Sequence, residues 1–173
     1  MRLMNRYVVG LVTVLSSVSI LAACSAAAAE WSRAERGVVV HPTGQGAAPV
    51  RLEVVSDGII RVSADPDGDF ARTKSLMRVE GGAMPAKFDV QEADGKVRVS
   101  TSRVVAEVSL RDGRVSFLDK NGKPIVSEVA GGRTFTPLQV DGKDYLSVRQ
   151  RFESPDSEAI YGFGQHQQGC MNQ

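Results

Sequence analysis

Between residues 57 and 142 an Asp-Gly or Asn-Gly pair repeatedly interrupts a run of alternating residues. These pairs include Asp57-Gly58, Asp94-Gly95, Asp112-Gly113, Asn121-Gly122 and Asp141-Gly142. Such pairs tolerate the positive φ that tight turns need, so each is a signal for a hairpin. Between them lie KVRVST, VVAEVSL, RVSFLDK and PIVSEV, each of strand length, while VRLEVVSDGIIRVSAD is two alternating runs joined at Ser56-Asp57-Gly58. From Gly37 onward almost no helical periodicity competes with this pattern. The turn spacing predicts an all-β sandwich or barrel. Val108 and Leu110 fall on one face, and Val115, Phe117 and Ile125 of the next strands are expected to meet them in a shared core. Residues 65–87, with Pro66, Pro85 and Gly81-Gly82, read as a strand with long loops.

The first residues carry a different signal. Arg2 and Arg6 precede an apolar run over residues 7–21, followed by small residues, the three-part pattern of a secretory leader. Leu21-Ala22-Ala23-Cys24 looks like a lipobox, in which Cys24 takes the lipid and becomes the new N-terminus; ordinary cleavage within Ala27-Ala28-Ala29 is the alternative. The expected organisation is a lipoprotein-type leader over 1–23, a tether over 24–36 and a sandwich over 37–173. Such a protein is exported and held at a membrane, on the periplasmic side or at the outer membrane, by its acyl chains. Simple cleavage makes it a soluble periplasmic protein instead. Losing Arg2 and Arg6 takes the formal net charge from +1 to −1. With 21 basic and 20 acidic residues spread along the chain, no basic face for nucleic acid is expected. Cys170 is left without a disulfide partner and reads as a small, partly buried side chain.

The residues that carry chemistry elsewhere are sparse. Asp65, Asp67 and Asp69 alternate as calcium-loop ligands do, but Gly68 stands at the wrong place and Leu76 where a bidentate Glu belongs, so the stretch reads as a solvated turn. Glu153, Asp156 and Glu158 flank Pro155 and read as a polar loop rather than the paired carboxyls of a retaining glycosidase. There is no nucleophile elbow, phosphate-cradling loop or metal-ligand pattern, and no cofactor is expected. Trp31, Tyr145, Phe152, Tyr161 and Phe163 are assigned mostly to the core.

The end of the chain is the most distinctive. SEAIYGFGQHQQG and the following MNQ, preceded by LSVRQRFESPD, resemble the close of the N-terminal domain of glycoside hydrolase family 31, which includes α-xylosidases and α-glucosidases. GVVVHP, VRLEVVSDGIIRVSADP and VVAEVSLRDGRVSFLDKNGKPIVSE match the strand order of the same domain. The resemblance implies a galactose-mutarotase-like β-sandwich, followed in the family by a (β/α)₈ barrel whose two aspartates cleave the glycosidic bond with retention. Neither the barrel nor those aspartates lie in this sequence. Residues 160–173 are therefore expected to begin the loop leading toward it. The resemblance makes Gln165, His166, Gln168 and Asn172 candidates to hydrogen-bond an oligosaccharide substrate, together with Gln167. His166 is equally a candidate buttress of the domain interface. The expectation is an accessory domain of a family 31 hydrolase, without a catalytic residue of its own. A stand-alone carbohydrate-binding surface lipoprotein is the alternative.

Overall fold

A computed structural model of the chain describes residues 30–71 and 86–159. Among these residues the regular elements are all strands. The first sheet contains β1 (Glu30–Ala34), β2 (Gly37–His41), β3 (Val50–Ser56) and β4 (Ile59–Ala64), in that order and antiparallel throughout. The second contains β5 (Asp89–Ala93), β6 (Lys96–Ser100), β7 (Val104–Ser109), β8 (Val115–Asp119) and β9 (Pro124–Ser127), also in chain order. β10 (Thr134–Val140) and β11 (Lys143–Arg149) form a separate two-stranded hairpin.

The alternation read from the sequence decides how the two sheets meet. Val38, Val40, Val50, Leu52 and Val54 of the first sheet are fully buried. Val97, Val99, Ala106, Val108 and Val115 of the second are buried against them, with Leu110 and Ile60 closing the layer. Their neighbours at odd offsets point away from this layer, which is how a period of two sorts a strand into a dry and a wet face. β2 lies over β6 and β4 over β7. At one edge Trp31 of β1 donates its indole N–H to Glu92 of β5 at 2.6 Å, and the Arg33 guanidinium sits 5.0 Å from the Phe88 ring centre. At one end the amides of Thr43 and Gly44 donate to the carbonyls of Leu110 and Arg111 at 3.0 and 2.6 Å. Elsewhere the Thr101 hydroxyl donates to the Asp57 carbonyl at 2.6 Å.

The expected turns fall where their residue pairs stand. Asp94 and Gly95 have φ of 53° and 70°, and Asp141 and Gly142 have φ of 49° and 71°, the double positive φ of a two-residue hairpin loop. Gly37 has a different reason to be glycine. A Cβ there would run into the carbonyl oxygen of Leu52 on the paired strand.

Three expectations change. The tether was expected to run through residue 36, yet Glu30–Ala34 is already β1, with Trp31 packed on the core. Its polar sequence hides a strand, which is held by pairing with the adjacent β2 and by the bond from Trp31 to Glu92, 61 residues on. Ile125 was expected in the shared core but is 61% exposed. It belongs to the edge strand β9, beyond the cover of β4, and borders an open apolar groove with Ile59, Ile60, Val104, Phe117 and Val126. Tyr145 and Phe152 were assigned to the core and are more than half exposed, because they lie on and beside the β10–β11 hairpin, outside the two packed layers.

Candidate functional site

The candidates read from the C-terminal motif, Gln165, His166, Gln168 and Asn172 with Gln167, lie outside the described residues, as do Cys24 and Cys170. Glu153, Asp156 and Glu158 are exposed in the loop after β11. Glu153 pairs with Arg114 at 3.1 Å, and Glu158 accepts from the Ser154 hydroxyl at 3.1 Å. Asp65 accepts from the amide of Asp67 at 2.8 Å and Asp69 from that of Ala71 at 3.1 Å, so both carboxylates serve as local turn acceptors.

Two carboxylates are buried among the described residues, Glu107 and Glu128, and each is held by cations. Glu107 stands on the outer face of the second sheet, opposite Arg98 of β6 and Ser116 of β8. Lys96 donates to it at 3.1 Å and the Nε of Arg98 at 3.0 Å, with a second, closer bond from the Arg98 Nη2. Burial pushes the Glu107 carboxyl up, but the hydrogen bonds and charges of Arg98 and Lys96 outweigh it and hold the group below the usual glutamate range. A group so held is an ion-pair anion at neutral pH, the opposite of the raised carboxyl that donates a proton to a glycosidic oxygen.

Glu128 lies at the root of the β10–β11 hairpin. Its carboxylate accepts from the amide of Val115 at 3.0 Å and forms a short ion pair with Arg133. Arg133 also donates to the Gln150 side chain at 2.9 Å and to the carbonyl of Gly113 at 3.3 Å. Backbone bonds complete the root: Val129 N–H to Arg151 O at 3.0 Å, Gly132 N–H to Val129 O at 2.8 Å and Arg151 N–H to Gly132 O at 3.1 Å. Glu128 closes the PIVSE strand segment with no sign of a role there, and Arg133 stands in none of the segments singled out in the sequence. The one local sign is Gly131-Gly132 beside an arginine, and the partners that give it meaning sit 5 to 20 residues away.

Beyond this root the hairpin is an arm. Phe135, Pro137, Leu146 and Val148 share one of its faces, and Leu138 and Tyr145 are paired on the other. Leu138, Val140, Tyr145, Leu146 and Val148 are between 44% and 61% exposed. Gln139 donates to Asp144 at 2.9 Å near the tip. Between the arm and the Pro66-Asp67 turn runs an open groove of about 630 Å³, lined by Pro137, Leu138, Gln139, Asp144, Tyr145 and Leu146. Apolar residues on both faces of an exposed two-stranded hairpin form a surface of the kind that docks another polypeptide.

Two antiparallel sheets closing on one aliphatic core, with a hairpin projecting from the last edge, define a mutarotase-like β-sandwich module. Residues 49–171 match the family model described as the glycosyl hydrolase 31 N-terminal galactose mutarotase-like domain. The chain belongs to glycoside hydrolase family 31, and it matches that family at this domain. A family 31 α-xylosidase from Xanthomonas citri is 64% identical and superposes with a TM-score of 0.74, over 81% of this chain and 15% of its own. A family 31 α-xylosidase from a soil metagenome, solved with xylose, is 26% identical with a TM-score of 0.61, over 83% of this chain and 23% of its own. An uncharacterized Listeria monocytogenes protein, solved with glucose, magnesium and calcium, shares the fold at 20% identity and a TM-score of 0.57, over 79% of this chain and 12% of its own. The chain therefore spans less than a quarter of the length of each of these solved proteins.

Proposed function

We propose that this chain is the N-terminal accessory sandwich of a retaining α-xyloside or α-glucoside hydrolase, which packs against a catalytic barrel and helps shape its substrate site. The observation that carries the reading is the β10–β11 arm, apolar on both faces and exposed, in a chain 64% identical to one part of an α-xylosidase. A soluble domain gains nothing from such an arm unless another surface covers it. In this reading Gln165, His166, Gln168 and Asn172 lead toward the sugar, and their amide and imidazole groups hydrogen-bond its hydroxyls.

The test is complementation. The purified chain is mixed with the Xanthomonas citri α-xylosidase lacking its matched residues, and hydrolysis of an aryl α-xyloside is followed. Activity is expected only in the mixture. Turnover by the chain alone, surviving purification, would overturn the reading.

The groove beside Tyr145 supports a second reading, a carbohydrate-binding surface. An exposed aromatic ring in a groove that Gln139 and Asp144 also line offers a stacking face and polar groups to a pyranose. Calorimetry with xyloglucan oligosaccharides separates the two, since saturable binding by the isolated chain belongs to this second reading alone. Both readings place the protein outside the cytoplasm, with Cys24 as lipid acceptor. Acyl labelling that persists in Cys24→Ser would reject the anchor.

A further inference from the structure

Burying an ion pair is a poor way to gain stability, since desolvating both charges offsets most of their attraction. Glu128 and Arg133 are nonetheless buried together, with side chains 9% and 12% exposed. Their placement suggests what the pair does. Arg133 touches three segments at once: Gly113 before β8, Glu128 after β9, and Gln150 after β11. Glu128 in turn is tied to the first residue of β8 by the bond from the Val115 amide. The chain leaves the second sheet through the 129–132 turn and returns through Gln150 and Arg151, so the guanidinium sits across both the exit and the return of the arm.

Gly132 shows how closely the two passes approach. A Cβ on it would meet the Val129 carbonyl oxygen at 2.7 Å and that of Arg151 at 3.1 Å. Farther out, β10 and β11 make their extensive contacts with each other and not with the sandwich. The direction of the arm is therefore set at its root.

We propose that Arg133 is a positioning residue: its planar fork, anchored on Glu128, fixes the angle at which the β10–β11 arm leaves the sandwich. The arm then meets whatever covers it already oriented, so that docking does not have to order it. The inference rests on the root geometry alone and holds whether the covering surface is a barrel or a glycan.

The test separates orientation from stability. In Glu128→Gln/Arg133→Met both charges are gone, and Gln still offers an acceptor to the Val115 amide, so no buried charge is stranded. Hydrogen exchange on the full chain should then be about tenfold or more faster at the root amides of Val129, Gly132 and Arg151. The amides of β6 and β7 should exchange as in the parent. Arg133→Lys keeps the charge but loses the fork, so its unfolding midpoint should stay near that of the parent while root exchange remains fast. Root exchange unchanged in the double variant, equal acceleration throughout the chain, or full restoration by lysine would each overturn the proposal.

Discussion

The sandwich and the arm are built from similar residues and held by different forces. In the sandwich, Val, Leu and Ile alternate with polar residues, and the apolar faces of the central strands find the facing sheet. In the arm, Leu138, Val140, Tyr145, Leu146 and Val148 are as apolar and remain exposed. Its ladder of seven pairs joins β10 to β11, and among the described residues it is fastened to the second sheet at its root and by the returning Phe152 and Glu153, which bridge to Glu128 and bond to Ser127. Hairpin chemistry can therefore make a strand pair without placing it. Burial needs a second layer, and the described residues provide one for β2–β4 and β6–β8 but none for β10–β11.

The strongest way to sharpen this contrast is in the core. Leu52→Ala empties the centre of the packed layer and should cost about 3–4 kcal/mol in denaturant unfolding. Gly37→Ala comes next, at about 2–3 kcal/mol, because its methyl group meets the Leu52 carbonyl across the β2–β3 pair and the strands must part.

The outer face of the second sheet should respond to acid. Glu107 titrates lower in the folded chain than in the unfolded one, so its contribution is present above the unfolded glutamate value of about 4.3 and is lost as pH falls through the folded value. Asp112 adds to the same acid limb: burial raises its carboxyl, but the Ser109 hydroxyl and the Arg114 amide outweigh burial and lower it. Glu107→Gln should cost about 1 kcal/mol at pH 7, given that Lys96 and Arg98 are half exposed, and should flatten the loss of stability below pH ~4.

The smallest effect belongs to the arm. Val148→Thr should change unfolding by less than about 0.5 kcal/mol while reducing self-association in light scattering. A cost comparable to that of Leu52→Ala would make the arm part of the sandwich and end the comparison.

Much of the sandwich is legible in the residues. The Asp-Gly and Asn-Gly pairs mark its turns, and the alternation in β3, β6 and β7 assigns the buried faces of Val50, Leu52, Val97, Val99, Ala106 and Val108. The failures have a common cause. Ile125 and Tyr145 have core-like side chains, but an edge strand and a projecting arm deny them a facing layer. β1 has an unpromising pattern and becomes a strand because β2 pairs with it and Glu92 receives its tryptophan. The root of the arm shows the same limit. Glu128 and Arg133 acquire their roles only through Gly113, Val115 and Gln150, which folding brings beside them.

By itself the sequence determined the all-β class, the hairpin turns and the inward and outward sides of the central strands, because these depend on local φ preferences and a period of two, while the resemblance of its quoted segments, the C-terminal motif above all, pointed to the family. The tertiary structure decided which apolar side chains are covered, how Glu107 and Glu128 are neutralised and where the β10–β11 arm is fastened. Those depend on residues far apart in the chain meeting across strands and sheets, and local pattern carries no record of such meetings.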